Sequence, residues 1–282
     1  MKDAFLVGRD IALSISDSPD LAVLGLGREH LEDAMTEIAR HLIACGATLS
    51  YGGDLRPGGF TDLLFEIVNR YRSDKDADTI LVRNYLAYPV HATKGADELN
   101  ELAHALEGLA DLVFLDQSGK KISLSERVTR STDPSPAEWV AGLTAMRTAM
   151  TDETGARVAL GGQTTNYRGR LPGIAEEALI QLERKAPLFL LGGFGGCSFD
   201  IARAMGTDRR DIQRSASLPP WPGIEAFRAY GPESMHNGLD PDENRLLAET
   251  VHVDQAVTLI LRGLLKLFRS PKKSPRRKNR RK

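Results

Sequence analysis

A short apolar run, a cluster of glycines and the start of a helical pattern succeed one another over residues 186–205, and this order constrains the chain most. Leu188 to Leu191 reads as a buried strand, Gly192, Gly193, Gly195 and Gly196 follow, and Phe199, Ile201, Ala202 and Met205 take helical spacing. Glycine suits such a bend because it accepts positive φ and lets a ligand approach the backbone, while a helix start presents unpaired N–H groups and a positive dipole end. Phosphate is the natural guest; a tight connection without a ligand is the other reading. The pattern recurs twice: Gly52-Gly53-Asp54-Leu55-Arg56-Pro57-Gly58-Gly59 follows the apolar run 47–51, and Gly161-Gly162-Gln163-Thr164-Thr165, with Gly169 and Gly173, follows 157–160.

Strand-like runs at 11–16, 47–51, 79–83, 111–115, 157–160 and 188–191 alternate with helical patterns at 30–45, 60–71, 99–109, 136 to about 150 and 171 to about 182. Such alternation predicts an α/β fold, a doubly wound, mostly parallel sheet with helices on both faces. Ligands of these sheets sit beyond the carboxyl ends of the strands, where all three glycine clusters fall, so the clusters are expected to converge on one crevice. Residues 117–135 read as a long polar loop, and Ser135 with Pro136 as the start of a helix. Residues 207–241 are proline-rich and irregular, with Trp221 and Phe227 packing onto the body; 243–268 supplies one long helix or two shorter ones.

Hydrophobic residues make up 41% of the 282, ample for a core, and a formal charge of −1 conceals an asymmetry. Nine of the 37 Lys and Arg lie after Phe268 with no acid among them, leaving 28 basic against 38 acidic residues in 1–268. The expected organisation is therefore a body over 1–268, with a helical extension from about 207, and a disordered basic tail over 269–282. That tail either contacts nucleic acid or an acidic surface or is simply solvated. Cys45 and Cys197 make neither a disulfide framework nor a metal-ligand spacing, no secretory leader is seen, and 251–268 is too charged to span a bilayer. A cytoplasmic protein with no metal or cofactor is expected.

Asp54, Arg56 and Thr61 stand out in the first cluster. A planar cation in a glycine loop suits phosphate, and an Asp past a strand end suits ribose hydroxyls; the pair Asp54–Arg56 or a helix cap accounts for them equally. Ser14, Ser16 and Ser18 can donate to phosphate or serve as turn chemistry before Pro19. Tyr85, Tyr88 and His91 can stack on a base or belong to the core. Glu176 and Glu177, early in a helix, answer its dipole or act as catalytic carboxylates.

Residues 51–61, 161–165, 169–177 and 191–196 together resemble the SLOG superfamily, which groups the DNA-processing Smf/DprA proteins with the lonely-guy phosphoribohydrolases. The resemblance is closest to its bacterial conflict-system branch, the LD cluster. It implies a Rossmann-like sheet and a site for a nucleotide or nucleotide-derived second messenger, held by Ser16, Gly52, Gly53, Asp54, Arg56, Gly58, Gly59, Thr61, Gly161, Gly162, Thr164, Thr165, Gly192, Gly193, Gly195 and Gly196. It also implies a homo-oligomer and an effector partner such as a TIR-type NADase. The hydrolase motif, Pro-Gly-Gly-x-Gly-Thr-x-x-Glu, is not reproduced. Aligned on Gly192-Gly193, Leu191 replaces the proline and Phe199 the glutamate; aligned on Gly161-Gly162, they are Leu160 and Arg168. A non-catalytic sensor is therefore expected. The alternative is hydrolysis of N-glycosidic bonds of nucleoside monophosphates, with Glu176, Glu177 or Asp200 as carboxylate and Arg147 where the hydrolase arginine falls.

Overall fold

Strand β1 (Asp10–Ser16) alternates Ile11, Leu13 and Ile15 with Ala12, Ser14 and Ser16, so that one face is apolar and the other is built of small side chains. A strand of this kind is covered on both faces, and the computed structural model, which describes residues 4–53, 55, 58–71, 80–212 and 220–269, places it inside a seven-stranded sheet. The remaining strands are β2 (Thr48–Tyr51), β3 (Val82–Leu86), β4 (Ala110–Leu115), β5 (Lys121–Ile122), β6 (Ala156–Gly161) and β7 (Leu188–Leu191), in the order β5-β4-β3-β2-β1-β6-β7. Every pairing is parallel except β4 with β5. The chain proceeds outward from β1 through β2, β3 and β4, then returns to β6 on the other side of β1. The topological switch point thus lies between β1 and β6.

The apolar face of β1 packs under α1 (Arg28–Ala44), α2 (Phe60–Tyr71) and α9 (Val253–Phe268) in the largest core cluster. Helices α6 (Gly173–Glu183) and α7 (Gly196–Ala204) cover Ala159, Leu188 and Leu190 on the opposite face, beside α5 (Pro136–Glu153). Helix α1 stops where expected. Gly46 takes φ 91°, its N–H reaches Ile43 O, and Ala47 N–H reaches Leu42 O, the paired bonds that close a helix on a left-handed glycine. Ser135 caps α5, with Glu138 returning a bond to the Ser135 N–H.

Differences from the expected elements are local. The third strand begins at Val82, Thr79 lying outside the described residues, and the helix expected at 99–109 runs as α4 (Ala96–Ala105). The polar loop 117–135 contains β5, whose two residues are too short for a periodic signal. Of the two readings of 243–268 the two-helix one holds, α8 (Pro241–Glu249) ending before Thr250 and α9 following it. Glu243 ties them together: Arg262 and Lys266 of α9 reach its carboxylate at 2.7 and 3.1 Å. The hydrogen bond from Arg262 is the largest cause holding this carboxyl down to about 2, with the Asp240 N–H next. Trp221 and Phe227 join the core under α6 and α7 as expected. Among the described residues no helix is long and apolar enough to cross a membrane.

Tyr85 and His91 belong to the core. Tyr85 is buried and its hydroxyl donates to Glu153 at 2.7 Å. His91, in the short α3 (Tyr88–His91), lies 2.9 Å from Leu115 O through Nε2 and receives Arg127 Nε at Nδ1, also 2.9 Å, which assigns the Nε2–H tautomer. Arg127 continues to Lys94 O at 2.9 Å, pinning the 116–135 segment to α3. Burial is the main cause lowering the His91 pKa below the ordinary 6.5, the bond to Leu115 O opposing it and Arg127 adding to it. The unfolded chain therefore takes up this proton at higher pH than the folded one. The stability tied to neutral His91 is complete above about pH 6.5 and is lost as pH falls from there toward the folded value. Thermal melts from pH 7.5 to 5 are expected to show this decline, and His91→Gln to flatten it while lowering Tm at pH 7.5.

Candidate functional site

Ser16 and Gly161 end adjacent strands in register, and the chain turns away from both at the switch point. Gly161 and Gly162 take φ of 67° and 106°, a succession available to glycine and strained for other residues. This bend lets Gly162 N–H reach Ser16 O at 3.0 Å and Gln163 N–H reach Ser16 Oγ at 3.3 Å. Gly162 O in turn accepts from Cys197 N–H at 2.9 Å. The turns after β1, β6 and β7 are thus knitted together.

The β7 turn, however, is closed. Gly196 N–H, at the start of α7, donates to Asp20 Oδ2 at 2.6 Å, and Asp20 is 1% exposed. A carboxylate of the chain itself answers the dipole end at which a ligand phosphate was expected. Gly195 N–H closes onto Gly192 O at 2.8 Å. A side chain on Gly192 would meet Ala248 O, and one on Gly193 would collide with Thr250 O. Gly192, Gly193, Gly195 and Gly196 therefore pack closely against the chain itself. Asp20 went unremarked in the sequence because nothing local links it to a helix start 176 residues later.

At the β2 turn, side chains on Gly52 and Gly53 would press on Met146 and on Thr61 and Tyr51. Gly52 and Gly53 are half-buried, Gly58 is exposed and Thr61 is buried in the first turn of α2. Gly58 N–H donates to Asp62 Oδ2 at 2.7 Å, and Arg28 Nη2 donates to Gly58 O at 3.0 Å. Arg28 also faces Asp17 at 3.7 Å, so a residue missed in the sequence links the β1 and β2 turns. Asp54 and Arg56 lie outside the described residues. Asn84 is fully buried on β3 beside Tyr51, and neither polar atom of its side chain has a partner among the described residues.

Arg147 meets Glu176, 29 residues later, and its neighbour Glu177 beneath the β6–α6 connection. Arg147 Nη1 pairs with Glu176, which also accepts from Thr144 Oγ1 at 2.6 Å and faces Arg170 Nε at 3.3 Å. Glu177 faces Arg157 Nη1 at 3.1 Å and Arg147 Nε at 3.9 Å. Arg157, without solvent exposure, donates further to Ser14 Oγ at 2.7 Å, Thr151 Oγ1 at 3.1 Å and Gln181 Oε1 at 3.4 Å. Burial is the main cause pushing the Arg157 pKa down, with Glu177 opposing it. The helix dipole expected to hold these glutamates is joined by a stronger attraction, that of a buried network of opposite charges. Its sequence sign was an arginine near the start of an otherwise apolar strand.

Such networks are costly to break by halves, because the surviving charge stays buried without a partner. Arg157→Met is expected to lower unfolding free energy by about 3–5 kcal/mol, and Arg157→Met with Glu177→Leu to recover much of it. Urea denaturation of the three proteins checks both expectations.

Comparison with known proteins gives one family. The family described as SLOG cluster2 matches residues 5–234, from the segment before β1 to the irregular region ahead of α8. No curated protein matches the chain. The matched stretch contains the β1, β2, β6 and β7 turns and the charged network, and the chain belongs to the SLOG cluster2 family, a membership consistent with a nucleotide-related function.

Proposed function

We propose that this protein is a non-catalytic sensor that binds a nucleotide or nucleotide-derived second messenger above the β2, β1 and β6 strand ends. The observation that carries this reading is the meeting of the Ser16 and Gly161–Gly162 turns at the switch point, one strand from the Gly52–Gly53 turn. Ser16, Gly52, Gly53, Asp54, Arg56, Gly58, Gly59, Thr61, Gly161, Gly162, Thr164 and Thr165 form the proposed binding set, with hydroxyls and the arginine selecting the phosphate. Glu176 is fully buried among arginine and threonine partners, an arrangement suited to holding α5 on α6 rather than to meeting a substrate. The signal would pass to an effector protein such as a TIR-type NADase, or through homo-oligomerisation, in a bacterial conflict system within the cytoplasm.

One observation favours hydrolysis of an N-glycosidic bond instead: Arg147 and Glu176, the residues weighed for that chemistry, are in contact. A carboxylate beside the ribose would stabilise an oxocarbenium-like state.

Mass spectrometry of small molecules copurifying with the protein, followed by calorimetry with a nucleotide panel, tests the proposal. Saturable binding without base release is expected. Thr164→Val with Ser16→Ala is expected to weaken it by about 10- to 100-fold, the loss of one or two hydrogen bonds to a charged group. Steady release of free base, abolished by Glu176→Gln, would overturn the sensor reading in favour of the hydrolase.

A further inference from the structure

Helix α5 presents a stripe toward the β6–α6 connection. Arg147 lies against Gly169 of that connection and Gly173 at the start of α6, Thr144 is three residues earlier, and Trp139 lies nearer the helix start. The Trp139 ring is half-buried, and the guanidinium of Arg168, from the same connection, stacks on it at 4.4 Å from the ring centre. Arg168 itself is exposed, and no carboxylate among the described residues pairs with it. The intervening sequence 163–170 carries Arg168 and Arg170 and no acid.

The platform is rigid by construction. Ser135 and Glu138 close the first turn of α5, Arg130 donates to Tyr88 Oη at 3.1 Å and pairs with Glu138, and Gly142 allows Pro89 to press against the helix. A flat indole is thus held beside the proposed nucleotide crevice under a loosely committed cation. An exposed guanidinium–indole contact is weaker than stacking of a nucleobase on the same ring, so a base can take the cation's place. The displaced guanidinium, already in the connection carrying Thr164 and Thr165, is then within the reach of its own side chain of a phosphate bound there.

We infer that Trp139 is the stacking platform for the planar base of the bound ligand, and that Arg168 exchanges from the indole face to the ligand phosphate. The inference rests on the nucleotide-binding reading above and adds to it the part of the ligand that the glycine turns do not touch.

Fluorescence and calorimetric titrations with AMP, GMP, CMP, UMP and ribose 5-phosphate test it. At least one nucleotide is expected to quench Trp139 emission and to bind about 10-fold or more tightly than ribose 5-phosphate, which lacks a base, the margin that stacking supplies. Trp221, buried and donating to Asp200 at 3.0 Å, supplies a constant background. Trp139→Leu is expected to remove the margin while ribose 5-phosphate still binds. Trp139→Phe keeps part of the margin, and Arg168→Ala weakens nucleotide and sugar phosphate alike. Retention of the full nucleotide margin in Trp139→Leu overturns the inference and leaves the binding module standing. Failure of every nucleotide and of ribose 5-phosphate to bind the unaltered protein overturns both.

Discussion

A guanidinium with no access to water organises the half of the molecule that faces α5 and α6. Arg157 enters the interior on β6, and its donors are satisfied only if β1 offers Ser14, α5 offers Thr151 and α6 offers Glu177 and Gln181. Four elements are therefore placed by one side chain, because any misplacement leaves part of a buried charge unpaired. Glu177 then faces Arg147, Arg147 pairs with Glu176, and the backbone at Gly169 and Gly173 lies close against Arg147. The position of the β6–α6 connection descends from that first requirement.

Glycine permits close approach by other parts of the chain at more than one strand end. At β7 the glycines permit close approach by the chain itself: Asp20 takes the helix-start amide and the Ala248–Thr250 backbone presses on Gly192 and Gly193. At β2, Gly52 and Gly53 are half-buried against Met146, Tyr51 and Thr61, and Gly58 is exposed. Between them, the β6 turn is bonded to Ser16 and still leaves Gln163 and Thr165 exposed.

Alternation of apolar runs and helical spacings sufficed to read the sheet, because burial on both faces writes itself into β1, β6 and β7 with little local competition. The two-residue β5 left no periodic trace, and its pairing with β4 is a tertiary event. At the site, the glycine turns were legible as turns, but whether a turn receives a ligand or a carboxylate of the same chain depends on partners such as Asp20 that are remote in sequence. The pairing of Arg147 with Glu176 was likewise out of reach: each was identifiable alone, and only the packing of α5 on α6 brings them into contact. Asn84 gave no signal, since a polar residue in a strand reads as exposed until the strand is seen to be interior.

The stretch beyond the family match is part of the same packing problem. Strand β7 is the last in the sheet, and its outer backbone would be open to any extended chain. Asn237 Nδ2 donates to Leu188 O at 2.8 Å, and Gly263 of α9 allows the helix to close on Asn237 and Phe189. Leu247, Val257, Ile260 and Leu264 then enter the cluster that also holds Ile11 and Leu13 of β1. Residues 237–264 thus cover an edge, complete the core over the central strand and press the β7 turn shut through Thr250. The end of family similarity at residue 234 is consequently not a boundary in the packing. Removing the covering segment would expose the β7 edge and the glycines beneath it together, so the closed state of that turn depends on α8 and α9.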